Sequence, residues 1–226
     1  MRYALLVLGW MLAGNAAAAG LADLTNTDAT NGLRQALSEG SIAAVAKLGV
    51  ENGFFANPKV KIPLPPSIQR VEGALRAIGM RKQADELVLS MNRAAEAAVP
   101  EAKQLLVDSV KKMSVQDAKG ILSGGDTAAT EYFKRTTQSD LTKRFLPIVK
   151  KTTDRVGLAQ QYNSLAHQGA ALGLVKDDQA TIEGYVTQKA LDGLYYMIGE
   201  QEKAFRQNPL GASSDIVKKV FGAIGR

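Results

Sequence analysis

The sequence predicts an all-α protein: a bundle of about eight to ten short helices with one proline-rich extended strap. Three observations carry this. Apolar residues recur at three- and four-residue spacing along nearly the whole chain, which sets them on one side of a helix. Glycine, proline and Ser/Asp capping residues cut that pattern into short runs. One stretch alone, Asn57 to Pro66, alternates with period two, and its prolines bar a helix and disfavour a central strand.

The first helix carries Leu33, Leu37, Ala44 and Leu48, with Ile42 and Val45 beside them and Thr27 and Asp28 as caps. Gly49 to Asn57 breaks it and presents Phe54 and Phe55 as an exposed pair. In the strap, Val60, Ile62 and Leu64 alternate with Lys59, Lys61 and Pro63. Its apolar side should lie on the helices, with brief pairing as a sheet edge. Ser67 to Met80 follows, with Ile68, Val71, Leu75 and Ile78 on one face. Lys82 to Val99 has Leu87, Met91, Ala94, Ala95 and Ala98. Pro100 suits the first turn of the next helix, which bears Leu105, Leu106, Val110 and Met113.

Ser114-Val115-Gln116-Asp117 has the form of a capping box with Asp at its last position, and opens a helix ending at Ser123-Gly124-Gly125. Asp126 is expected to cap Thr127 to Thr137. Ser139 or Asp140 should cap a longer helix from Leu141 to about His167, kinked near Pro147. Gly169 to Val175 reads as a linker. Asp177-Asp178 starts a helix reaching about Arg206, with Ile182, Val186, Ala190, Leu194, Met197 and Phe205. Gly184, Gly193 and Gly199 lie inside it at about 1 kcal/mol each against alanine, so close contacts are expected there. Asn208-Pro209 ends it, and Ser213 or Ser214 caps a last helix.

Residues 1–19 read as a cleavable secretory leader: Arg2, an apolar run from Tyr3 to Ala13, and Ala17-Ala18-Ala19 before a cut at Gly20. The run is shorter than the ~20 residues needed to span a bilayer. The expected product is a single periplasmic domain, 20–226, with no transmembrane segment. Zero cysteines exclude disulfides and thiolate metal sites. The 28 basic and 22 acidic residues give a net charge of +6. The excess is spread in pairs such as Lys111-Lys112 and Lys150-Lys151. Such pairs are solvated helix faces, or contacts to an anionic envelope surface; nucleic acid is not expected as a partner of an exported chain.

No catalytic or cofactor motif stands out, and no cofactor is expected. Ser109-Val110-Lys111-Lys112 matches Ser-x-x-Lys, but mid-helix and without its partner motifs. His167 is the single histidine, too little for a transition-metal site. Gly124-Gly125-Asp126 precedes a helix start that could hold an anion, although Asp126 brings its own carboxylate. The richest polar cluster is on the helix through Ser90 to Glu96. Asn92, Arg93 and Glu96 share one side there, beside close-packing alanines. Asp117, Lys119 and Tyr132 could supply partners, and Asp126 completes the candidate set. Two roles stand open for it, a ligand pocket or a structural hydrogen-bond network.

Long stretches resemble a bacterial exported-protein family catalogued as domain of unknown function 4197. They are FFANPKVKIPLP (54–65), LSMNRAAEAAVPEA (89–102), QDAKGILSGGDTAATEYF (116–133), QYNSL (161–165), YVTQKALDGLYYMIGEQEKAFRQNP (185–209) and SDIVKKVFG (214–222). The resemblance implies export and an all-helical domain, and no activity. The leading expectation is a non-enzymatic binding or structural protein of the envelope, whose partner is an envelope protein or an anionic envelope component. The alternatives are a carrier of a lipid or apolar ligand lined by methionine and aromatic residues, and a carboxylate-based hydrolase or lyase using Glu96 or Asp117 on cell-wall glycan.

Overall fold

The computed structural model describes residues 26–171 and 181–208. Eight helices form among them: α1 (Asn26–Leu48), α2 (Pro66–Ala77), α3 (Arg81–Ala98), α4 (Ala102–Lys111), α5 (Val115–Ser123), α6 (Ala128–Thr153), α7 (Gly157–Ala171) and α8 (Ile182–Gln207). No strand occurs among the described residues. The expected leader, the residues from 172 to 180 including Asp177-Asp178, and the expected last helix lie outside them.

The long helices α6 and α8 pack on each other, with α3 against α6 and α1 against α8 and α4. The core is continuous through Leu33, Leu48, Phe54, Leu87, Met91, Leu106, Phe133, Phe145, Ile182 and Leu194. Deep burial of one such large apolar side chain contributes about 1.5–3 kcal/mol. Helices α2 and α7 pack on α3. The Val99–Glu101 turn carries Pro100 and bridges α3 to α4, so the proline falls in a short 3-10 turn just before the helix and not in its first turn.

The capping box is present. The Ser114 hydroxyl accepts from the Asp117 N–H, and the Asp117 carboxylate accepts from the Ser114 N–H. Expectation and structure differ further on. The predicted break at Ser139-Asp140 does not exist, because Phe133, Thr137, Leu141, Phe145, Val149 and Thr153 repeat every four residues and are all buried. One face therefore runs unbroken along α6, and Ser139 and Asp140 sit on its exposed side. Pro147 lies inside α6, and the chain breaks instead at 154–156, before α7. Gly169 to Ala171 still belong to α7, so the expected linker does not begin there.

The strap follows its alternation: Val60, Ile62 and Leu64 are buried, while Lys59, Lys61 and Pro63 are exposed. Phe54 corrects the expectation of an exposed pair: it is fully buried, and only Phe55 is half-exposed. Ile78, expected on the inner face of α2, is 70% exposed. Gly193 explains where Phe54 goes. A Cβ there would sit 2.7 Å from the Phe54 ring, so the bare backbone of α8 receives the aromatic side chain. Gly199 likewise lies against Thr130 of α6.

Candidate functional site

The polar side of α3 faces the segment leading into the strap. Asn92 is fully buried, and its Oδ1 accepts from the Ile62 N–H at 2.8 Å. Its Nδ2 donates to the Ile62 carbonyl at 2.9 Å and to the Val88 carbonyl at 2.8 Å. The expected sheet-edge pairing is thus replaced by one side-chain amide, which serves both backbone groups of Ile62.

Glu96, one turn on, has Oε1 accepting from the N–H groups of Phe54 at 2.9 Å and Phe55 at 3.0 Å. Its Oε2 accepts from Arg93. Arg93 also donates to Glu51 at 3.1 Å and Asn52 at 3.0 Å. Asn52 adopts φ 68°, a left-handed turn. At Gly53 a Cβ would meet the Leu48 carbonyl oxygen at 2.4 Å. The turn from Glu51 to Phe55 is thus held by its own tight backbone and by the Arg93–Glu96 pair. Phe55 lies near both cations, with Lys61 Nζ 4.3 Å and Arg93 Cζ 5.7 Å from its ring centre.

The other candidates have different partners. Asp117 bonds to Ser114 and, through Oδ1, to Arg135 at 3.0 Å. The Ser114 hydroxyl, the Ser114 N–H and Arg135 hold its carboxyl below the usual carboxylate range. Tyr132 is buried and donates to the Ser109 carbonyl at 2.7 Å, with Arg135 over its ring. Lys119 and Asp126 are exposed. No hydrogen bond among the described residues joins Asp117, Lys119, Tyr132 or Asp126 to Asn92, Arg93 or Glu96.

Asp126 does not cap α6, and the helix has no cap bond from Thr127 either. Glu202 reaches across from α8 instead. Its Oε1 accepts from the Ala129 N–H at 3.0 Å, and its Oε2 from the Thr130 N–H and hydroxyl, each at 3.0 Å. Arg206 pairs with it at 3.0 Å and donates to the Ile121 carbonyl at 2.9 Å. A third buried acid, Glu183, accepts from Asn163 at 2.8 and 2.9 Å, and Asn163 Oδ1 accepts from the Ile182 N–H. Sequence reasoning placed neither Glu183 nor Glu202 in a network.

A different surface gathers lysine and tyrosine side chains, with Lys189 Nζ 3.7 Å from the Asp192 carboxylate. Between strap and α8 lies an open groove of about 480 Å³, lined by Lys59, Lys61, Tyr185, Lys189, Asp192 and Tyr196, among others. Lys59 stands 5.7 Å from the Tyr196 ring centre and Lys189 6.0 Å from that of Tyr185. Lys59 also pairs with Glu200 at 2.9 Å, which raises its pKa and lowers that of Glu200. The Tyr185 hydroxyl donates to the Pro63 carbonyl at 3.2 Å, tying α8 to the strap. Burial pushes that phenol above its ordinary pKa. Among the described residues, no group of three or more His, Asp or Glu side chains is placed to hold a metal ion.

Fold and site together define an all-helical protein whose buried acids bond to the chain's own groups and whose strap and last described helix frame a cationic, aromatic groove. The chain belongs to the family described as Protein of unknown function (DUF4197), whose model matches residues 23–222. No curated protein and no solved structure matches it.

Proposed function

We propose that the protein is an exported, non-enzymatic binding protein of the cell envelope that holds an anionic envelope component in the groove between strap and α8. The observation that carries this reading is the gathering of Lys59, Lys61 and Lys189 with Tyr185 and Tyr196 along one open surface. Tyrosine rings offer flat, amphipathic contact area, and lysines offer adaptable positive charge. Asp192 and Gln69 on the rim can accept and donate hydrogen bonds to hydroxyls. An acidic glycan polymer of the wall has that combination of apolar sugar-ring faces, hydroxyls and negative charge.

The alternatives draw less support. Both oxygens of Glu96 and both of Asp117 are engaged by donors of the chain itself, which leaves neither poised for acid or base work. Met91 and Met113 fill the core and do not line the strap groove, which weighs against an apolar carrier.

Co-sedimentation with purified cell-wall sacculi tests the reading. Wild-type protein should pellet, and the double variant Lys61→Glu, Lys189→Glu should bind at least about tenfold more weakly, two neighbouring charges being reversed. Equal pelleting of both would overturn it. Export has its own test. Trp10 is the single tryptophan and lies in the leader, so protein recovered from the envelope should lack tryptophan fluorescence. A retained signal would refute cleavage.

A further inference from the structure

On the α3 side of the C-terminal half of α6, a second groove of about 620 Å³ is lined by Ala97, Pro147, Ile148, Lys151, Thr152 and Arg155. It lies apart from the strap groove and shares no residue with it. Its floor is apolar: the Ala97 methyl, the Pro147 ring and the half-buried Ile148. Its charges are two cations and no acid. Neighbouring Lys143 and Lys150 are neutralised by Asp140 and Asp154, at 3.4 and 3.0 Å. Lys151 and Arg155 have no ion-pair partner among the described residues. Asp154, which lies between them in the chain, is engaged by Lys150 at 3.0 Å, so Lys151 and Arg155 bring uncompensated charge to the groove. Leu146 next to the groove is 41% exposed.

We infer that this face docks on an anionic phospholipid surface, with Lys151 and Arg155 against headgroup phosphates and Pro147 and Leu146 at the acyl boundary. Charge complementarity argues for this occupant. Two unpaired cations beside exposed apolar groups match a layer that is negative outside and apolar within. The groove lining itself has no acid, and the neighbouring Asp154 is paired with Lys150, so little repulsion opposes the contact. Among the described residues no helix is long and apolar enough to cross a membrane, so the contact is peripheral.

Vesicle co-sedimentation tests it, with phosphatidylcholine alone against phosphatidylcholine containing phosphatidylglycerol. Wild-type protein should bind the anionic vesicles alone. Each basic group at such a surface contributes about fivefold to partitioning, so Lys151→Glu with Arg155→Glu should weaken binding by about 25-fold or more. The control is Lys103→Glu with Lys119→Glu, exposed lysines that make the same change in net charge; it should change binding less than about threefold. Both doubles should retain the wild-type helical circular dichroism. No binding by wild type, equal binding to neutral vesicles, or equal loss in the two doubles would overturn the inference. Sacculus binding by the Lys151→Glu, Arg155→Glu variant should stay at the wild-type level, which separates this surface from the strap groove.

Discussion

Glu96→Ala removes three hydrogen bonds at one stroke, and the consequences can be apportioned. Its Oε1 holds the N–H groups of Phe54 and Phe55, and its Oε2 holds Arg93. A buried donor left without a partner costs about 1–3 kcal/mol, and a hydrogen bond to a charged group contributes about 1.5–3 kcal/mol. The Phe54 N–H is buried and takes the full cost. The Phe55 N–H is partly buried and takes less. Arg93 is 30% exposed and keeps Glu51 and Asn52, so its loss is small. The total is about 3–5 kcal/mol. For a domain of this size 1 kcal/mol moves Tm by about 2–4 °C, so Tm should fall by about 10 °C. Glu96→Gln keeps an oxygen for both N–H groups and turns a donor toward Arg93, and should lose about half as much. Guanidinium unfolding followed by circular dichroism measures both. A Glu96→Ala variant within about 1 kcal/mol of wild type, or a glutamine variant as unstable as the alanine one, would refute the view that this carboxylate anchors the turn.

Three further outcomes follow from packing and from proton linkage. Gly193→Ala should destabilise by about 1–2 kcal/mol despite alanine's better helix propensity, because its Cβ would lie 2.7 Å from a fully buried Phe54 ring. Gly73→Ala in α2 meets nothing within 4 Å and should stabilise by about 0.5–1 kcal/mol; denaturant midpoints that rank the two the other way would contradict the close approach. Burial pushes the Tyr195 phenol up to about 12, offset in part by its 2.9 Å bond to Thr137. Between its ordinary value near 10 and about 12, the unfolded chain gives up this proton and the folded chain keeps it. Its contribution is therefore intact below pH 10 and lost as pH rises toward 12, and Tyr195→Phe should flatten that decline in a melting series.

The strap was legible because its signal is local: prolines exclude the helix, and period-two alternation fixes which side is buried. The capping box was legible for the same reason, since Ser114 and Asp117 satisfy each other. The length of α6 was not read, although its signal was present. Ser139 and Asp140 are good caps, but the four-residue repeat from Phe133 to Thr153 outweighs them by keeping one face in the core. Asn92 and Glu96 were correctly placed together on α3. Their partners were invisible, being backbone groups of a segment 30 to 42 residues earlier in the chain. The groove stripe on α8 could have been found: Tyr185, Lys189, Asp192 and Tyr196 fall at successive turns of one helix face.

The three buried glutamates explain why external anions are expected on side chains rather than at helix ends. The start of α6 looked like the best anion site in the sequence, with a Gly-Gly turn before free N–H groups. Glu202 occupies it from α8 and is itself neutralised by Arg206. Glu96 does the same for the turn at Phe54 and Phe55, with Arg93 as its counter-ion. Glu183 meets Asn163, whose carbonyl takes the first N–H of α8. Donors that could have faced a ligand are thus consumed inside the fold, by Glu96 and Glu202 at two places and by the Asn163 amide at the third. Among the described residues, two grooves that offer cations to an anion are the strap groove with its lysines and the one at Lys151 and Arg155. Both lie on exposed surface, where association is set by charge and weakens with salt. Binding at either place should therefore fall steeply with ionic strength while the internal glutamate networks, shielded from solvent, keep the fold unchanged.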